Sequence, residues 1–268
     1  MAEYVLGTDK EELDRLNLQH ELWKLEALRL WDRAGFKQGQ KILDLGCGPG
    51  FTSMELARRL GPTGQVTAVD VSERFLSHLN SLSKDPHQAK ITTAKTFIEE
   101  MNLEKKDYDG AYCRWLMIFV KDPLAALKSV HHHLKSGAVF CLQEYVAYDS
   151  MALAPDEPIM KNVVNAIFKS WRDQGGDPNR GRDLPQLLHQ AGFEEIEMKP
   201  LIRFARPQDP LWSWPDSFYR NFIPKLVQGG YLSQQEAKFF FEIWEKAGQT
   251  EGSFFIAPTM ISISARKP

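Results

Sequence analysis

Short apolar runs alternate with amphipathic stretches through the middle of the chain. The helical stretches are predicted at 52–60, after Ser72, and from Pro123 to about residue 135. Because strands and helices alternate from residue 41 to 143, we expect right-handed βαβ units and a parallel sheet. The strands between the helices are predicted at 42–45, 65–69, 91–94, 110–113 and 138–142.

Both ends of the chain show other patterns. A helix is predicted from Thr8, which forms a capping box with Glu11. Residues 150–175 and 184–190 are predicted to be helical. Thr259–Ala265 alternates apolar and polar residues, which is typical of an exposed or edge strand.

Aromatic residues are concentrated in residues 204–255, which hold 13 of the 30 in the chain. This enrichment fits a lid or wall over an apolar ligand, and it equally fits a core built from aromatic helices. Both interpretations stay open at this point.

Composition narrows the class of protein. The 268 residues carry 33 Lys and Arg against 35 Asp and Glu, a net charge of -2 that argues against a nucleic-acid partner. The three cysteines form no C-x-x-C pair, and no apolar run is long enough to insert into a membrane. The N-terminus lacks a signal-peptide pattern, so we expect a reduced, cytoplasmic protein. His131–His133 are consecutive and point in different directions on a helix, so no metal site is predicted.

The strongest chemical signal is a glycine-rich turn, Gly46 to Gly50, between a predicted strand and a helix. Glycines let the backbone approach a ligand closely, and the following helix N-terminus favours an anion. Asp70 lies 20 residues after Gly50, at the end of the second strand, where a carboxylate can bind both hydroxyls of a ribose. A dinucleotide fingerprint would need a third glycine at position 51, which is Phe.

With its G-x-G-x-G spacing, the chain resembles the class I S-adenosylmethionine-dependent methyltransferases over about residues 40–145. The resemblance implies a Rossmann-like α/β fold: a mostly parallel seven-stranded sheet flanked by helices, with helical cap elements. It also implies S-adenosylmethionine as cofactor and in-line methyl transfer to an O, N or C nucleophile. The motifs that carry the resemblance are 42–50, 69–72, 108–113 and 134–137.

The same resemblance divides the chain into four segments. It implies a cofactor-binding core over 41–145 and a C-terminal strand of that core over 259–268. Residues 1–40 would form an N-terminal helical cap. Residues 146–258 would form a helical, aromatic region over the substrate that includes later elements of the core.

Cofactor contacts follow from the resemblance residue by residue. The loop backbone would line the methionine part of the cofactor. Asp44 would orient the loop or the cofactor's amino group, with a turn cap as the alternative. These loop residues are Gly46, Cys47, Gly48 and Gly50.

The nucleoside end involves the next two strands. Asp70 would hold the ribose, unless it merely caps a helix, and Val71 would pack on the adenine. Many relatives carry Asp after the third strand for the adenine amino group. Thr96 or Phe97 occupies that neighbourhood here, so adenine recognition by backbone contacts is expected.

Residues after the fourth and fifth strands face the expected substrate side. Arg114 is predicted to pair with the cofactor's carboxylate or an anionic substrate, or else to form a surface ion pair. Trp115 is predicted to wall the transfer site or to belong to the core, and Tyr145 to face the substrate. Glu144 is the candidate substrate contact or general base, with a turn cap as the alternative.

The N-terminal helix is expected to close over the cofactor. Gln19 or Arg15 would then reach it, and Tyr4 and His20 are further candidates. Arg15 also lies four residues after Glu11 and can form a helical ion pair instead.

A bulky or apolar small molecule is the predicted acceptor, and the sequence gives no prediction of oligomeric state. Two alternatives remain open. One is an NAD-dependent oxidoreductase, and the other is a non-catalytic protein that binds the cofactor as a scaffold.

Overall fold

The computed structural model describes residues 10–82, 85–104 and 106–268, which form an α/β structure. Eight helices lie in these ranges: α1 Lys10–Ala34, α2 Phe51–Leu60, α3 Glu73–Ser81, α4 Pro123–His133, α5 Pro158–Asp173, α6 Leu184–Gln190, α7 Ser213–Gln228 and α8 Gln234–Gln249. The strands of the same ranges are β1 Lys41–Leu45, β2 Gln65–Asp70, β3 Lys90–Lys95, β4 Tyr108–Arg114, β5 Leu134–Ala147, β6 Ala152–Ala154, β7 Glu194–Leu201, β8 Phe204–Ala205, β9 Phe254–Ile256 and β10 Thr259–Arg266.

The main sheet of the described chain has seven strands in the order β3-β2-β1-β4-β5-β10-β7. Its first five strands pair in parallel, and β10 runs antiparallel to both β5 and β7. The predicted Rossmann-like fold with a mostly parallel seven-stranded sheet is confirmed.

Apolar side chains cover both faces of this sheet, as expected for parallel strands whose sequences are almost continuously apolar. One face packs on α1 and α2, where Trp31 and Leu56 are fully buried. The other packs on α4 and α6, where Leu127 and Leu184 are fully buried. These helices pack on the faces of the sheet, so the loops at the carboxyl ends of the strands can form a site.

The prediction of an exposed or edge strand at Thr259–Ala265 was wrong. Strand β10 lies inside the sheet, between β5 and β7, and Ser262 is 2 % exposed. The polar residue Ser262 is tolerated inside the sheet because its hydroxyl accepts a hydrogen bond from the Gln143 amide, 3.1 Å away. Tyr112 donates to the same Gln143 side chain over 2.8 Å, so polar residues of three strands satisfy each other inside the protein.

The helix predicted over residues 150–175 begins later than expected. Residues 152–154 form strand β6, and α5 starts at Pro158. Proline suits the first turn of a helix but disfavours the helical conformation in the residue before it. Strand β6 pairs with β9, which also pairs with β8, in a three-stranded antiparallel sheet.

An aromatic cap covers one end of the main sheet. It consists of α5, α7, α8 and the small sheet, and a single apolar cluster runs through it. Tyr219 and Trp244 are nearly fully buried there, with ring centroids 5.1 Å apart. Buried aromatic residues of 204–255, such as Tyr219 and Trp244, therefore belong to a core. The division of the chain into four segments stays a prediction.

The predicted cap residue Thr8 and the candidate Tyr4 lie outside the described residues. Helix α1 follows at Lys10 and ends at Ala34. Within the described ranges, no helix has the length and apolar character needed to cross a membrane. The predicted cytoplasmic location stays a prediction.

Candidate active site

A cleft of about 880 Å³ opens where the carboxyl ends of β1, β2, β3 and β4 meet. Parallel α/β sheets bind ligands at this edge, and the volume is in the range of roughly 300–1,000 Å³ that small-molecule sites have. Helix α1 lines the cleft with Leu16, Gln19 and His20. The position of α1 agrees with the expectation that the N-terminal helix closes over the site.

The glycine loop lines the cleft with its backbone. Gly46, Gly48 and Gly50 all have left-handed φ angles, of 64°, 54° and 91°. A side chain on Gly46 would meet Leu116, and one on Gly50 would meet Leu79 of α3. The backbone N–H of Cys47 donates to the Val69 carbonyl over 3.0 Å, which ties the loop to β2.

Asp44 lies at the end of β1, below this loop, and is 2 % exposed. Its Oδ2 accepts a hydrogen bond from the Ser53 hydroxyl of α2, 2.5 Å away. Burial raises the pKa of Asp44 from 3.8 to about 7, although the Ser53 hydrogen bond and the positive charge of Arg114 lower it. The Ser53 hydrogen bond ties Asp44 to α2. Because Asp44 also lines the cleft, it remains a candidate for binding a ligand amino group.

Asp70 connects β2 to the glycine loop. Its Oδ2 accepts a hydrogen bond from the Gly48 N–H and its Oδ1 one from the Ser72 N–H, each over 2.8 Å. Burial raises the pKa of Asp70, and these backbone hydrogen bonds counteract part of the rise. The cap of α3 is the Ser72 hydroxyl, which accepts from Phe75 N. Each Asp70 oxygen keeps a lone pair for a ligand hydroxyl.

Two apolar side chains flank the outer part of the cleft. Val71 follows β2 and is 38 % exposed, and Phe97 follows β3 and is 47 % exposed. The Thr96 hydroxyl donates to the Phe97 carbonyl over 3.0 Å, so Thr96 is partly committed to its own loop. Exposed apolar residues on either side of a cleft suit a flat heterocycle.

Arg114 supplies positive charge to the cleft from the end of β4. Its guanidinium lies 4.8 Å from the Trp115 ring centroid and 3.5 Å from His20 Nδ1. Across the residues that the structure describes, no carboxylate oxygen lies within 4.0 Å of it, and the alternative of a surface ion pair is not realised. Burial and this guanidinium lower the pKa of His20 to about 3, so the imidazole is neutral at physiological pH.

Helix α1 carries a buried ion pair. Arg15 binds Glu12, not the Glu11 that sequence spacing suggested, through two hydrogen bonds of 2.7 Å. Both side chains are almost fully buried. Gln19 Oε1 accepts from Arg15 and also from the Trp214 indole N–H, 2.9 Å away, which joins α1 to α7. Gln19 lines the cleft, whereas Arg15 lines a second cavity.

The second cavity, which we call the aromatic chamber, has a free volume of about 60 Å³. It joins the cleft at Gln19, Trp115, Phe119 and Trp171, which line both. Nine of its fifteen lining residues are aromatic, and they include Trp115, Tyr145, Tyr148, Trp171, Trp214 and Tyr219. Trp115 and Tyr145 therefore lie on the side of the site where an acceptor was predicted.

The environment of Glu144 differs from that expected of a general base. Its carboxylate is fully buried and lines neither cavity. Oε1 accepts two hydrogen bonds of 2.7 Å, from the backbone N–H groups of Leu116 and Met117. Burial raises the pKa of Glu144 to about 8. The carboxylate holds a turn of the protein and does not face the space where an acceptor would bind.

Sequence patterns did not single out Trp171 or Trp214 as site residues. Both come from the cap helices, and neither stands in a motif. The aromatic enrichment of residues 204–255 was the available signal for Trp214. Trp171 lies in α5, outside that range, so the enrichment gave no signal for it.

A group of possible metal ligands lies beside the cleft, on α1 and α2. His20, Glu21 and Glu55 bring one ligand atom each within 4.8 Å of one another. Lys24 lies 2.8 Å from Glu21 and 3.7 Å from Glu55, and Arg58 lies 2.5 Å from Glu55. Because cations already occupy both carboxylates, we assign no metal to this group.

The lining of the cleft offers groups suited to each part of S-adenosylmethionine. The loop offers backbone where side chains would clash, and Asp70 offers acceptors beside it. Asp44 and the guanidinium of Arg114 both line the cleft and provide groups of opposite charge for an amino-acid moiety. Val71 and Phe97 leave an apolar slot for a base. These roles remain predictions for the individual residues.

Comparison with known proteins finds a methyltransferase domain in this chain. A family model described as a methyltransferase domain matches residues 42–137. Demethylmenaquinone methyltransferase of Staphylococcus aureus (strain JH9) is 28% identical over 213 residues, which cover 70% of this chain and 83% of the relative.

Solved structures share the fold. Phosphoethanolamine N-methyltransferase 2 of Haemonchus contortus, solved with phosphomonomethylethanolamine and S-adenosylhomocysteine, superposes with a TM-score of 0.57 at 19% identity. The match covers 91% of this chain but only 52% of that enzyme, so the chain spans about half its length. A methyltransferase-like protein of Bacillus halodurans gives a TM-score of 0.56 at 16% identity, over 90% and 98% of the two chains.

The relatives favour neither an oxidoreductase nor a non-catalytic scaffold. The glycine loop with Asp70, the seven-stranded sheet and the matching domain agree with one another. Together they support a class I S-adenosylmethionine-dependent methyltransferase that transfers the methyl group of that cofactor to a small molecule.

Proposed function

We propose that the acceptor is a small, uncharged aromatic molecule whose reacting end enters the aromatic chamber. The observation that carries this proposal is the lining of the chamber, where nine of fifteen side chains are aromatic and adjoin the cofactor cleft at Trp115. Aromatic walls favour flat apolar ligands through ring contacts and desolvation.

The charge balance of the chamber supports an uncharged acceptor. Arg15 is the cationic side chain in the lining, and Glu12 neutralises it over 2.7 Å. No carboxylate is among the lining residues. A charged acceptor would lose its hydration without gaining a full counter-charge, which is costly in an apolar site.

The size of the chamber limits how much of the acceptor it holds. A volume of about 60 Å³ is less than half of the roughly 150 Å³ of an apolar cavity that holds benzene, so the chamber does not hold a whole aromatic ring. The reacting end therefore occupies the chamber, while the body of the acceptor extends through the junction at Phe119 and Trp171 into the larger cleft.

The residues act by binding and alignment. The bound cofactor supplies an electrophilic sulfonium methyl group. The glycine loop and Asp70 hold its nucleoside and amino-acid parts, and Trp115 holds the acceptor against it. Such alignment alone supplies a large part of a rate enhancement.

A strong proton acceptor is not among the chamber's lining residues. His20 lies in the cleft, but its pKa of about 3 makes it a weak base. The acceptor therefore has to be nucleophilic on its own, as an ionisable phenol, a hydroquinone or an electron-rich ring carbon is. The name of the Staphylococcus aureus relative, demethylmenaquinone methyltransferase, supports a quinone-like acceptor.

Transfer of a labelled methyl group from S-adenosylmethionine tests the proposal. We expect 1,4-naphthohydroquinone or 2-naphthol to be methylated, and phosphoethanolamine and glycine not to be. Trp115→Ala should abolish the activity, whereas Phe239→Ala, at a surface residue outside both cavities, should not. Methylation of only the charged acceptors would disprove the proposed acceptor class.

A further inference from the structure

The backbone of Trp115 has an unusual conformation for a large side chain. Its φ is 54°, in the left-handed region that residues other than glycine rarely adopt. Trp115 lies directly after β4 and lines both the cleft and the aromatic chamber. Such a conformation persists only where the surrounding structure holds it, and it is concentrated at functional sites.

Two consecutive residues of β5 hold this turn. The Trp115 N–H donates to the Gln143 carbonyl over 3.0 Å. The next residue, Glu144, accepts from the N–H groups of Leu116 and Met117 through one carboxylate oxygen. Three successive backbone donors after β4 are thus bound by β5. Met117 is fully buried and Trp115 and Leu116 are half-buried, so leaving these donors without partners would cost stability.

The turn also contacts the cofactor loop. An ideal Cβ atom on Gly46 would lie 2.8 Å from Cδ1 of Leu116, so the leucine side chain packs directly on the glycine. On its other side, Trp115 stacks with Trp214 at 6.2 Å and with Tyr145 at 6.0 Å between ring centroids. One turn therefore sets both the cofactor loop and the wall of the chamber.

We infer that Glu144 is a positioning residue for methyl transfer, because its buried carboxylate fixes the turn that places Trp115 between the cofactor and the acceptor. This inference rests on the proposed function for the identity of the acceptor side, but the geometry of the turn stands apart from it. The two hydrogen bonds require an acceptor oxygen at this distance. They do not require a proton to be transferred.

Three variants separate this role from general stability. Glu144→Gln keeps an oxygen at the same place, Glu144→Met keeps the volume without an acceptor, and Glu144→Asp retracts the carboxylate by one methylene group. Thr67→Val is the matched control. Thr67 is buried and accepts a hydrogen bond from the Tyr108 hydroxyl, but it lines neither cavity.

The position of Trp115 is read by ¹⁹F NMR of protein labelled with 5-fluorotryptophan, with Trp115→Phe assigning its resonance. We expect Glu144→Met and Glu144→Asp to move that resonance and to weaken S-adenosylhomocysteine binding by about tenfold, the loss expected when a buried hydrogen-bond acceptor is removed. Glu144→Gln and Thr67→Val should leave both near wild type.

The outcomes are distinct. An unmoved Trp115 resonance in Glu144→Asp would overturn the inference even if Glu144→Met does not fold. The inference would also be overturned if Glu144→Gln moved the resonance and weakened S-adenosylhomocysteine binding as much as Glu144→Met does, because an accepting oxygen would then not suffice. Failure of the wild type to methylate naphthols would instead count against the proposed acceptor and leave the NMR result standing.

Discussion

Asp70 binds Gly48 across 22 residues of sequence: the carboxylate Oδ2 accepts a hydrogen bond from the glycine N–H, 2.8 Å away. Gly48 has a left-handed φ of 54°, so the hydrogen bond holds the loop in a conformation that a non-glycine residue would resist. The side chain proposed to bind the ribose thus also shapes the loop proposed to bind the methionine part. Substitutions of Asp70 should affect both ends of the cofactor.

Asp70→Ala should weaken S-adenosylhomocysteine binding by roughly 10- to 100-fold. Hydrogen bonds to a charged group are each worth about 1.5–3 kcal/mol, and the loop loses its anchor as well. Calorimetric titration measures the change. The 2′-deoxy analogue gives the control, since wild type should bind it more weakly than the parent compound while Asp70→Ala should bind both alike. A variant that still distinguishes the two ligands would show that another group holds the ribose.

Alanine substitutions at two glycines separate backbone strain from a steric clash. Gly46 and Gly48 have similar φ angles, but only at Gly46 does a Cβ atom meet a neighbour, Leu116. Gly48→Ala should cost about 1–2 kcal/mol of unfolding free energy, and Gly46→Ala about 1–3 kcal/mol more. Urea unfolding measures both.

The matched variant for this comparison is Gly46→Ala combined with Leu116→Ala. Removing the leucine side chain should cancel most of the additional cost at Gly46, because the two substitutions act on the same contact. Strictly additive effects of the two substitutions would contradict the clash.

Binding of S-adenosylhomocysteine should release a proton from Asp44. Its pKa of about 7 leaves the carboxyl largely protonated in the free protein below neutral pH, and a ligand ammonium group nearby would favour the ionised form. Release should be clear near about pH 6 and vanish near about pH 9, where Asp44 is already ionised. Titration in buffers of different ionisation enthalpy measures it, and Asp44→Asn should abolish it.

The same pKa has a consequence for stability. The folded state holds the Asp44 proton up to about pH 7, whereas the unfolded state releases it near 3.8. The folded state therefore binds more protons between these values, and the contribution of Asp44 to stability falls as the pH rises through that range. Equal dependence on pH in wild type and Asp44→Asn, in urea unfolding, would contradict the raised pKa.

The buried pair in α1 should respond very differently to single and double substitution. Glu12→Met leaves the Arg15 guanidinium buried without its main counter-charge, which should cost about 3–5 kcal/mol of unfolding free energy. Glu12→Met with Arg15→Met removes both charges and should cost much less. Thermal and urea unfolding give the coupling energy. The exposed pair of Arg206 and Asp209 is the control, with an expected coupling energy much smaller than that of the buried pair.

The sequence predicted what depends on local pattern. The five parallel strands follow from continuous apolar runs, and the α2 and α3 helices follow from glycine and serine at their ends. The position of Asp70 beside the loop also follows, since adjacent parallel strands end at one edge of the sheet. These relationships need only the order of elements along the chain.

Other features depend on contacts that no local pattern records. Trp214 reaches the site because its indole donates to Gln19, 195 residues earlier in the chain. Glu144 was a candidate base because it follows the predicted fifth strand, but β5 continues to Ala147 and the Glu144 carboxyl accepts from the backbone N–H groups of residues 116 and 117. The interior place of Ser262 depends on the single partner Gln143. In all three examples, the position of the side chain depends on a hydrogen bond between residues that are far apart in sequence.

The interior position of β10 has a consequence for the order of folding. Until residues 259–266 are present, β5 is an edge strand and β7 has no partner in the main sheet. Strand β5 is also the strand whose Glu144 holds the Trp115 turn. Pairing of β10 with β5 joins residues more than a hundred positions apart, which makes it a slow, non-local step. A chain that stops before Thr259 would therefore expose unpaired backbone groups on β5 and β7, which favour aggregation. Strand β5, which holds the wall of the acceptor chamber, would also lack its β10 partner.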